Sequence, residues 1–287
     1  MIEKAYAKIN LGLNVLDKKD NEYHNLESLM LPLKLHDTID ISVLPPENTD
    51  DFVTCDDYSL KVLKYNLCHK AIDVCREKRG FKEKLRVIIH KRIFIQSGLG
   101  GGSADAAATV RGIIKLLKIN PTKEELIDIG IKLGSDVPWS MFSRPAKVTN
   151  IGETLEFFEH NRNDFVLIVK FPVGLSTAEV FTKSDELELD RCDLDLVKNK
   201  FINNETDLNK YVVNSLEKAS FIMLPDLEKM FNELNNEGFD LVRMTGSGSA
   251  IICLTKDKKL AAKMETKYYK KGYQVELTTF LNDFENI

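Results

Sequence analysis

The chain has 287 residues, 43% hydrophobic and 29% charged, which is ordinary for a globular protein of one large domain or two smaller ones. Its net charge of −4 argues against broad nucleic-acid binding, which needs a basic face. No stretch has the length of a membrane span and the N-terminus lacks the apolar run of a signal peptide, so we expect no membrane partner. The cysteines are odd in number and lack metal-binding spacing, which predicts a reduced, cytoplasmic protein.

The N-terminal segment predicts a β-strand from Ile2 to Val15. Small and apolar residues alternate there with a second set that includes Lys8 and Asn10. Two such polar side chains on one face either lie at a solvated sheet edge, which is the commoner arrangement, or project into a functional site. A polar turn then precedes the pair Tyr23 and His24, which by itself is usually a packing or surface feature.

The rest of the first half alternates strand and helix patterns. Strands are predicted at Leu26–Leu33, Thr38–Val43 and Leu85–Ile89, a loop at Pro45–Asp57, and a helix at Ser59–Arg79. A capping box at Thr122 opens a further helix, which ends at Gly134, and Lys147–Phe158 is predicted to form a hairpin.

The second half is predicted to form a domain of its own, from residue 161 to 287, after a first domain of residues 1 to 160. Strands are predicted at Asp164–Phe171, Ala250–Leu254 and Tyr273–Thr278. Helices are predicted at Thr177–Thr182, Leu194–Phe201, Val213–Phe221, Pro225–Leu234 and Lys256–Lys271.

A glycine-rich stretch from Ser97 to Ala108 lies between the strand that ends near Ile89 and a helix that runs to Leu117. Glycine allows positive φ and a close approach of backbone to a ligand, and successive N–H groups in such a turn can hold an anion. The helix that follows favours negative charge at its N-terminus, where Ser103 is a plausible N-cap. The spacing matches neither the Walker A loop nor the dinucleotide fingerprint. The stretch is therefore either a phosphate cradle or a plain flexible loop.

Two further segments combine small or acidic residues with apolar neighbours. Asp136 follows Gly134 and precedes Val137 and Trp139, which is consistent with a helix–loop cap or with a partly desolvated catalytic base. The second glycine- and serine-rich turn, Thr245–Ser249, is predicted between two strands, where it forms a hairpin turn or approaches a ligand.

Four segments in this order resemble the small-molecule kinases named for galactose, homoserine, mevalonate and phosphomevalonate. They are the strand around Lys8, the glycine-rich stretch, Gly134–Pro138 and Thr245–Ser249. Together with Tyr23 and His24 they are most similar to the family of 4-diphosphocytidyl-2-C-methyl-D-erythritol kinases. The sequence departs from that family's usual pattern at Glu22, Phe94 and Val148–Asn150.

The resemblance implies a two-domain α+β kinase fold with the active site in the cleft between the domains. It implies transfer of a phosphoryl group from ATP, with Mg²⁺ bound mainly through the nucleotide, to a hydroxyl of a substrate that carries cytidine diphosphate. Carried over by position, Lys8 and Asp136 match the catalytic pair. The ATP-binding positions implied are Asn66, Ser97, Gly98, Leu99, Gly100, Gly101, Gly102, Ser103 and Ala104. The substrate-binding positions implied are Asn10, Tyr23, His24, Thr177, Phe181, Thr245 and Gly246.

The expected chemistry follows from these roles. Asp136 would accept the proton of the attacking hydroxyl, and Lys8 would keep it ionised and stabilise charge on the transferring group. Tyr23 and Phe181 would sandwich the cytosine ring, whose edge His24 would recognise. A sister kinase acting on mevalonate or homoserine, or a nucleotide-binding protein without turnover, remain the alternatives.

Overall fold

A computed structural model describes residues 1–19, 24–57 and 66–283, and its strands form two sheets. The first sheet has six strands: β1 Ile2–Lys18, β2 His24–Val43, β3 Phe52–Cys55, β4 Leu85–His90, β5 Ala146–Asn150 and β6 Thr154–Phe157. Their order is β3-β4-β2-β5-β6, with β1 paired to β2, and only the β3–β4 pair is parallel among the strands described.

Four helices share a hydrophobic core with the first sheet: α1 Leu67–Arg79, α2 Gly101–Leu116, α3 Lys123–Leu133 and α4 Val137–Phe142. Helix α2 is central, because it contacts β1, β2 and the other three helices. Its run of alanines is fully buried, and these small side chains let its neighbours approach closely. The N-terminus of α2 is thereby fixed against the sheet that carries Lys8.

The second sheet consists of β7 Phe165–Lys170, β8 Leu241–Met244, β9 Ala250–Thr255 and β10 Gln274–Thr279, in the antiparallel order β10-β7-β9-β8. The helices of this half are α5 Thr177–Ser184, α6 Leu194–Ile202, α7 Glu217–Met223, α8 Pro225–Asn235 and α9 Lys258–Lys270. Within the described ranges, no helix is both long and apolar enough to cross a bilayer.

A shared hydrophobic core joins the two sheets. Ile9 of β1 and Leu31 of β2 belong to the same buried cluster as Ile168 of β7 and Ile252 of β9. Near this core, the backbone N–H of Leu13 donates to the carbonyl of Val213, and the N–H of Ser215 donates to the carbonyl of Leu13. The two halves therefore meet along β1, which places Lys8 and Asn10 beside the turn after β8.

The predicted α+β fold class is confirmed, although several predicted boundaries are wrong. The two strands predicted at Leu26–Leu33 and Thr38–Val43 form one strand, because β2 continues to pair with β1 across the residues between them. The predicted loop Pro45–Asp57 contains β3, which is stabilised by pairing with β4 rather than by local sequence. The helix predicted from Val213 begins at Glu217, because the residues before it bond to β1.

The division of the chain at residue 160 remains a prediction. The first sheet ends at Phe157 and the second begins at Phe165, so the proposed boundary lies in the connection between them.

Candidate active site

A cavity of about 470 Å³ lies between the two halves of the molecule. It is bordered by the glycine-rich stretch, by β1, by the α3–α4 connection and by the turn after β8. Most of the site residues predicted from the sequence line it: Lys8, Asn10, Asn66, Ser97, Gly98, Leu99, Gly100, Gly101, Gly102, Ser103, Asp136, Thr177, Phe181 and Gly246. Residues from distant parts of the sequence therefore converge on one cavity.

Four predicted site residues need separate mention. Tyr23 lies outside the described residues. Ala104, His24 and Thr245 do not border this cavity. Ala104 is buried in α2, and Thr245 is fully buried, where its hydroxyl accepts a hydrogen bond from the backbone N–H of Asn10 at 3.1 Å. Thr245 is thus placed to support the site rather than to contact a ligand directly.

The glycine-rich stretch forms a tight turn that leads into α2. Gly98 and Gly100 have φ angles of +78° and +71°, in the left-handed region that favours glycine. The N-cap of α2 is Gly100, so the prediction that Ser103 is the N-cap is wrong. Because the helix begins at Gly101, Ser103 lies in the first turn, where backbone N–H groups have no partner within the helix, and it borders the cavity. A helix N-terminus opening into a cavity is a suitable environment for phosphate.

The glycine at position 98 is also required by packing. A Cβ atom there would lie 1.9 Å from the backbone carbonyl oxygen of Thr245. The glycine-rich stretch and the turn after β8 are therefore in backbone contact. The backbone N–H of Lys8 completes this junction by donating to the carbonyl of Leu99 at 2.9 Å.

Lys8 and Asp136 form an ion pair at the cavity wall, with 3.6 Å between Nζ and Oδ2. The Lys8 side chain is 5% exposed, whereas that of Asp136 is 36% exposed. Lys8 lies on the half of β1 whose two faces are both buried, so the solvated sheet edge considered from the sequence is wrong for Lys8 and Asn10. Asp136 occupies the N-cap position of α4, but its side chain makes no capping hydrogen bond. Its carboxylate is therefore not used to cap the helix.

His24 contacts α5, the helix that carries Thr177 and Phe181. Its ring stacks on Phe181 of α5 with 5.1 Å between centroids and 25° between planes. Its Nε2 atom lies 2.6 Å from Oδ1 of Asp185. A hydrogen bond from Lys18 holds the pKa of Asp185 below its usual range, burial opposes this effect, and His24 adds to it. Thr177, at the start of α5, shares a hydrogen bond of 2.9 Å with the hydroxyl of Ser247.

Sequence reasoning missed an ionic cluster of Lys91, Asp37 and Asp105 below the glycine-rich stretch. Lys91 Nζ donates to Oδ2 of Asp105 at 2.8 Å and to Oδ2 of Asp37 at 2.5 Å. Lys91 and Asp105 border the cavity. Asp37 also accepts hydrogen bonds from the backbone N–H groups of Arg92 and Ile93, which anchors the chain leading to the glycines. The only signal in the sequence was Asp105, a charged residue among the small, apolar residues at the start of the predicted helix.

Burial dominates the electrostatics of this cluster. It raises the pKa of Asp105 to about 7, with a further contribution from Asp37 and an opposing one from Lys91. Burial also disfavours the charge on Lys91, but the attraction of Asp105 and Asp37 outweighs it and raises the pKa of that ammonium. Among the described residues, no group of three or more His, Cys, Asp or Glu side chains could hold a metal ion.

Two family models match the chain. The model of the GHMP kinases N terminal domain matches residues 66–144, and that of the GHMP kinases C terminal region matches residues 195–274. The first match covers α1, the glycine-rich stretch and Asp136.

Two curated relatives align over most of the chain. One from Streptococcus uberis is 33% identical over 262 residues, covering 91% of this chain and 92% of the relative. Another from Streptococcus mutans is 31% identical over 281 residues, covering 96% and 99%. Both bear the name "Putative 4-diphosphocytidyl-2-C-methyl-D-erythritol kinase".

Solved structures show the same fold. A crystal structure of 4-(cytidine 5'-diphospho)-2C-methyl-D-erythritol kinase superposes with a TM-score of 0.81 at 24% identity, covering 98% of this chain and 99% of the other. The homoserine kinase of Cytophaga hutchinsonii superposes with a TM-score of 0.72 at 15% identity, covering 97% and 94%. The chain belongs to the GHMP kinase family, and it is an ATP-dependent small-molecule kinase.

Proposed function

We propose that this protein transfers the γ-phosphoryl group of ATP to a hydroxyl of 4-diphosphocytidyl-2-C-methyl-D-erythritol, a step of the non-mevalonate route to isoprenoids. The observation that carries the proposal is the position of the Lys8–Asp136 pair in the cavity wall. The glycine-rich stretch, Phe181 and Thr177 border the same cavity. The names of the aligned relatives support the choice of substrate.

In the proposed reaction, Asp136 accepts the proton of the substrate hydroxyl. The hydroxyl oxygen forms a bond to the γ-phosphorus as the bond from that phosphorus to the bridging oxygen breaks, and ADP leaves. Lys8, whose ammonium lies 3.6 Å from Asp136, stabilises negative charge on the transferring group. The backbone N–H groups at the start of α2 hold the remaining phosphates.

The nucleotide of such kinases is used as its Mg²⁺ complex, and oxygen donors of this chain fit that ion. The Oδ1 atom of Asp105 is buried and has no hydrogen-bond partner within the described part of the chain, and Asp105 is among the residues that border the cavity. Mg²⁺ is usually held by phosphate oxygens with one or two protein oxygens. Asp105 and Ser103 would supply those oxygens here, and the bound ion would neutralise phosphate charge.

We further propose that the cytidine end of the substrate binds near α5. Asn10, Thr177 and Gly246 border the same cavity and offer polar contacts to the sugar alcohol and diphosphate. Tyr23 and Phe181 are proposed to sandwich the cytosine ring. His24, which stacks on Phe181, is proposed to recognise the edge of that ring. Asn66, the N-cap of α1, is proposed to contact the adenine of ATP.

The test is an ADP-release assay with purified protein, ATP and Mg²⁺. The acceptors compared are the cytidine compound, its uridine counterpart, mevalonate and homoserine. Turnover with the cytidine compound alone is the expected result, because the proposed pocket selects the base. Turnover with mevalonate or homoserine would keep the kinase chemistry and discard the cytidine pocket. Absence of turnover with all four, in folded protein, would overturn the proposal.

A further inference from the structure

A line of hydrogen-bonded polar side chains extends from Lys8 into the protein interior. Lys8 Nζ donates to Oδ1 of Asn10 at 2.6 Å. Nδ2 of Asn10 donates to the hydroxyl of Ser28 at 2.7 Å, and that hydroxyl donates to the backbone carbonyl of Gly12 at 2.7 Å. Ser28 is 4% exposed and does not border the cavity.

The direction of each hydrogen bond in this line is determined by its inner end. A backbone carbonyl can only accept, so the single hydroxyl proton of Ser28 is committed to Gly12. The oxygen of Ser28 must then accept from Asn10, which requires the NH₂ side of the amide to face Ser28. The oxygen side of the amide therefore faces Lys8, whose ammonium can only donate.

The fold supports this arrangement. Asn10 lies opposite Met30 in the β1–β2 ladder, and a register shift follows between Asn10 and Gly12, so that Ser28 pairs with Leu13. Such irregularities redirect side chains from the regular pleat. A second contact to Asn10 comes from Thr245, whose hydroxyl lies 3.5 Å from Oδ1.

We infer that Ser28 is a positioning residue for phosphoryl transfer: it orients the amide of Asn10, and through it holds the ammonium of Lys8 beside Asp136. This role of Ser28 rests on the proposed function. It gives Asn10 a second role besides contact with the substrate. An amide turned around would present its NH₂ group to the Lys8 ammonium, so two donors would face each other. Lys8 would then leave the position 3.6 Å from Asp136.

The experiment compares three substitutions at position 28. Ser28→Ala removes the hydroxyl, Ser28→Cys keeps the side-chain size but offers only a weak acceptor, and Ser28→Thr keeps the hydroxyl. We expect Ser28→Ala and Ser28→Cys to lower kcat by about 10- to 100-fold with little change in the KM for ATP. Ser28→Thr should restore most of kcat. Ser42→Ala, in the half-buried far part of the same strand, is the matched control and should behave as wild type.

A second measurement does not depend on turnover. The side-chain amide resonances of Asn10 in ¹⁵N-labelled protein should shift in Ser28→Ala and Ser28→Cys and stay near their wild-type positions in Ser28→Thr. This readout separates the positioning role of Ser28 from the proposed function. An inactive wild-type enzyme would overturn the proposed function, while the amide resonances of Asn10 would still report on Ser28. Wild-type kcat in Ser28→Cys, or unshifted Asn10 resonances, would overturn the positioning role. A Ser28→Thr enzyme as slow as Ser28→Ala would also overturn it, since packing would then explain the loss.

Discussion

Two ion pairs of this protein each join a buried cation to an aspartate, and their surroundings differ. Arg162 and Asp164 are both 0% exposed and form two parallel hydrogen bonds of 2.7 Å. The guanidinium also donates to the carbonyl of Glu205 and lies over the Phe201 ring. Lys8 and Asp136 are separated by 3.6 Å, and the carboxylate is partly exposed to the cavity.

The difference separates a closed structural pair from a pair to which we assign a catalytic role. In the Arg162–Asp164 pair, both carboxylate oxygens are occupied by the guanidinium, and the pair lies away from the cavity. At the cavity, the ammonium of Lys8 has one short bond to Asn10 and a long approach to Asp136. A long contact to a partly exposed carboxylate leaves its oxygens open to a hydrogen bond from a molecule in the cavity. Burial of a charge alone therefore does not identify a functional residue.

The largest expected effect comes from removing one carboxylate charge in each pair. Asp136→Asn should lower kcat by about 10²- to 10⁴-fold, the range typical of a lost general base, with little change in thermal stability. Asp164→Asn should instead lower the free energy of unfolding by about 3–5 kcal/mol, because Arg162 is left as a buried, uncompensated charge. The folded fraction of that variant should keep wild-type kcat.

Urea unfolding gives the free energy of unfolding of each variant, and ADP release from the same preparations gives its kcat. Asp226→Asn removes an exposed pairing with Lys229 and serves as the control that should change neither quantity. An Asp136→Asn enzyme with wild-type turnover would contradict the role proposed for Asp136. Equal stability losses in Asp136→Asn and Asp164→Asn would show that the two pairs do not differ as described.

The next effect tests the backbone contact between the glycine-rich stretch and the turn after β8. Gly98→Ala would place a Cβ atom 1.9 Å from the Thr245 carbonyl, far closer than the 3.0 Å that real Cβ atoms respect. We expect weaker ATP binding and a larger loss of unfolding free energy than in Gly80→Ala. Gly80, at the end of α1, has a φ of +68° with nothing within 4 Å of the added atom. Gly80→Ala should therefore lower the free energy of unfolding by only roughly 1–2 kcal/mol, the cost of an alanine in the left-handed region.

Calorimetric titration with ATP and urea unfolding measure the two consequences. If Gly98→Ala and Gly80→Ala lose the same stability and bind ATP equally well, the junction between the glycine-rich stretch and Thr245 does not organise the site.

The sequence predicted those parts of the molecule that depend on local patterns. The glycine-rich stretch, its helix and the capping box at Thr122 rest on spacing within a dozen residues, and the structure contains all three. Periodicity also predicted most helices and strands of both halves. The family resemblance supplied Lys8 and Asp136, whose catalytic roles stay predictions.

Contacts between distant residues could not be predicted in this way. Asp185 meets His24 across 161 positions of sequence, and it lies in a charged segment with no distinctive pattern. Lys91 follows a strand, where a lysine is ordinarily solvent-exposed, and only the folded arrangement places it between Asp37 and Asp105. β3 was missed for the same reason, because β4 provides its hydrogen bonds.

The smallest effect concerns Asp105, whose carboxyl group combines features of both ion pairs. It is buried like Asp164, yet it borders the cavity like Asp136. Its pKa is raised by burial from 3.8 to about 7, so between these pH values the folded protein retains a proton that the unfolded chain releases. The folded state then binds more protons, and the free energy of unfolding contributed by this group falls as pH rises through that window.

Asp105→Asn removes this titration. We therefore expect the Tm of Asp105→Asn, relative to wild type, to be higher at pH 8 than at pH 5. Thr109→Val, one turn further along α2 and equally buried, controls for altered packing and should show no such dependence. A Tm difference between Asp105→Asn and wild type that is identical at both pH values would mean that Asp105 is ionised throughout, as in a closed pair. Asp105 would then resemble an aspartate whose charge is fixed by its cationic partner, as in the Arg162–Asp164 pair.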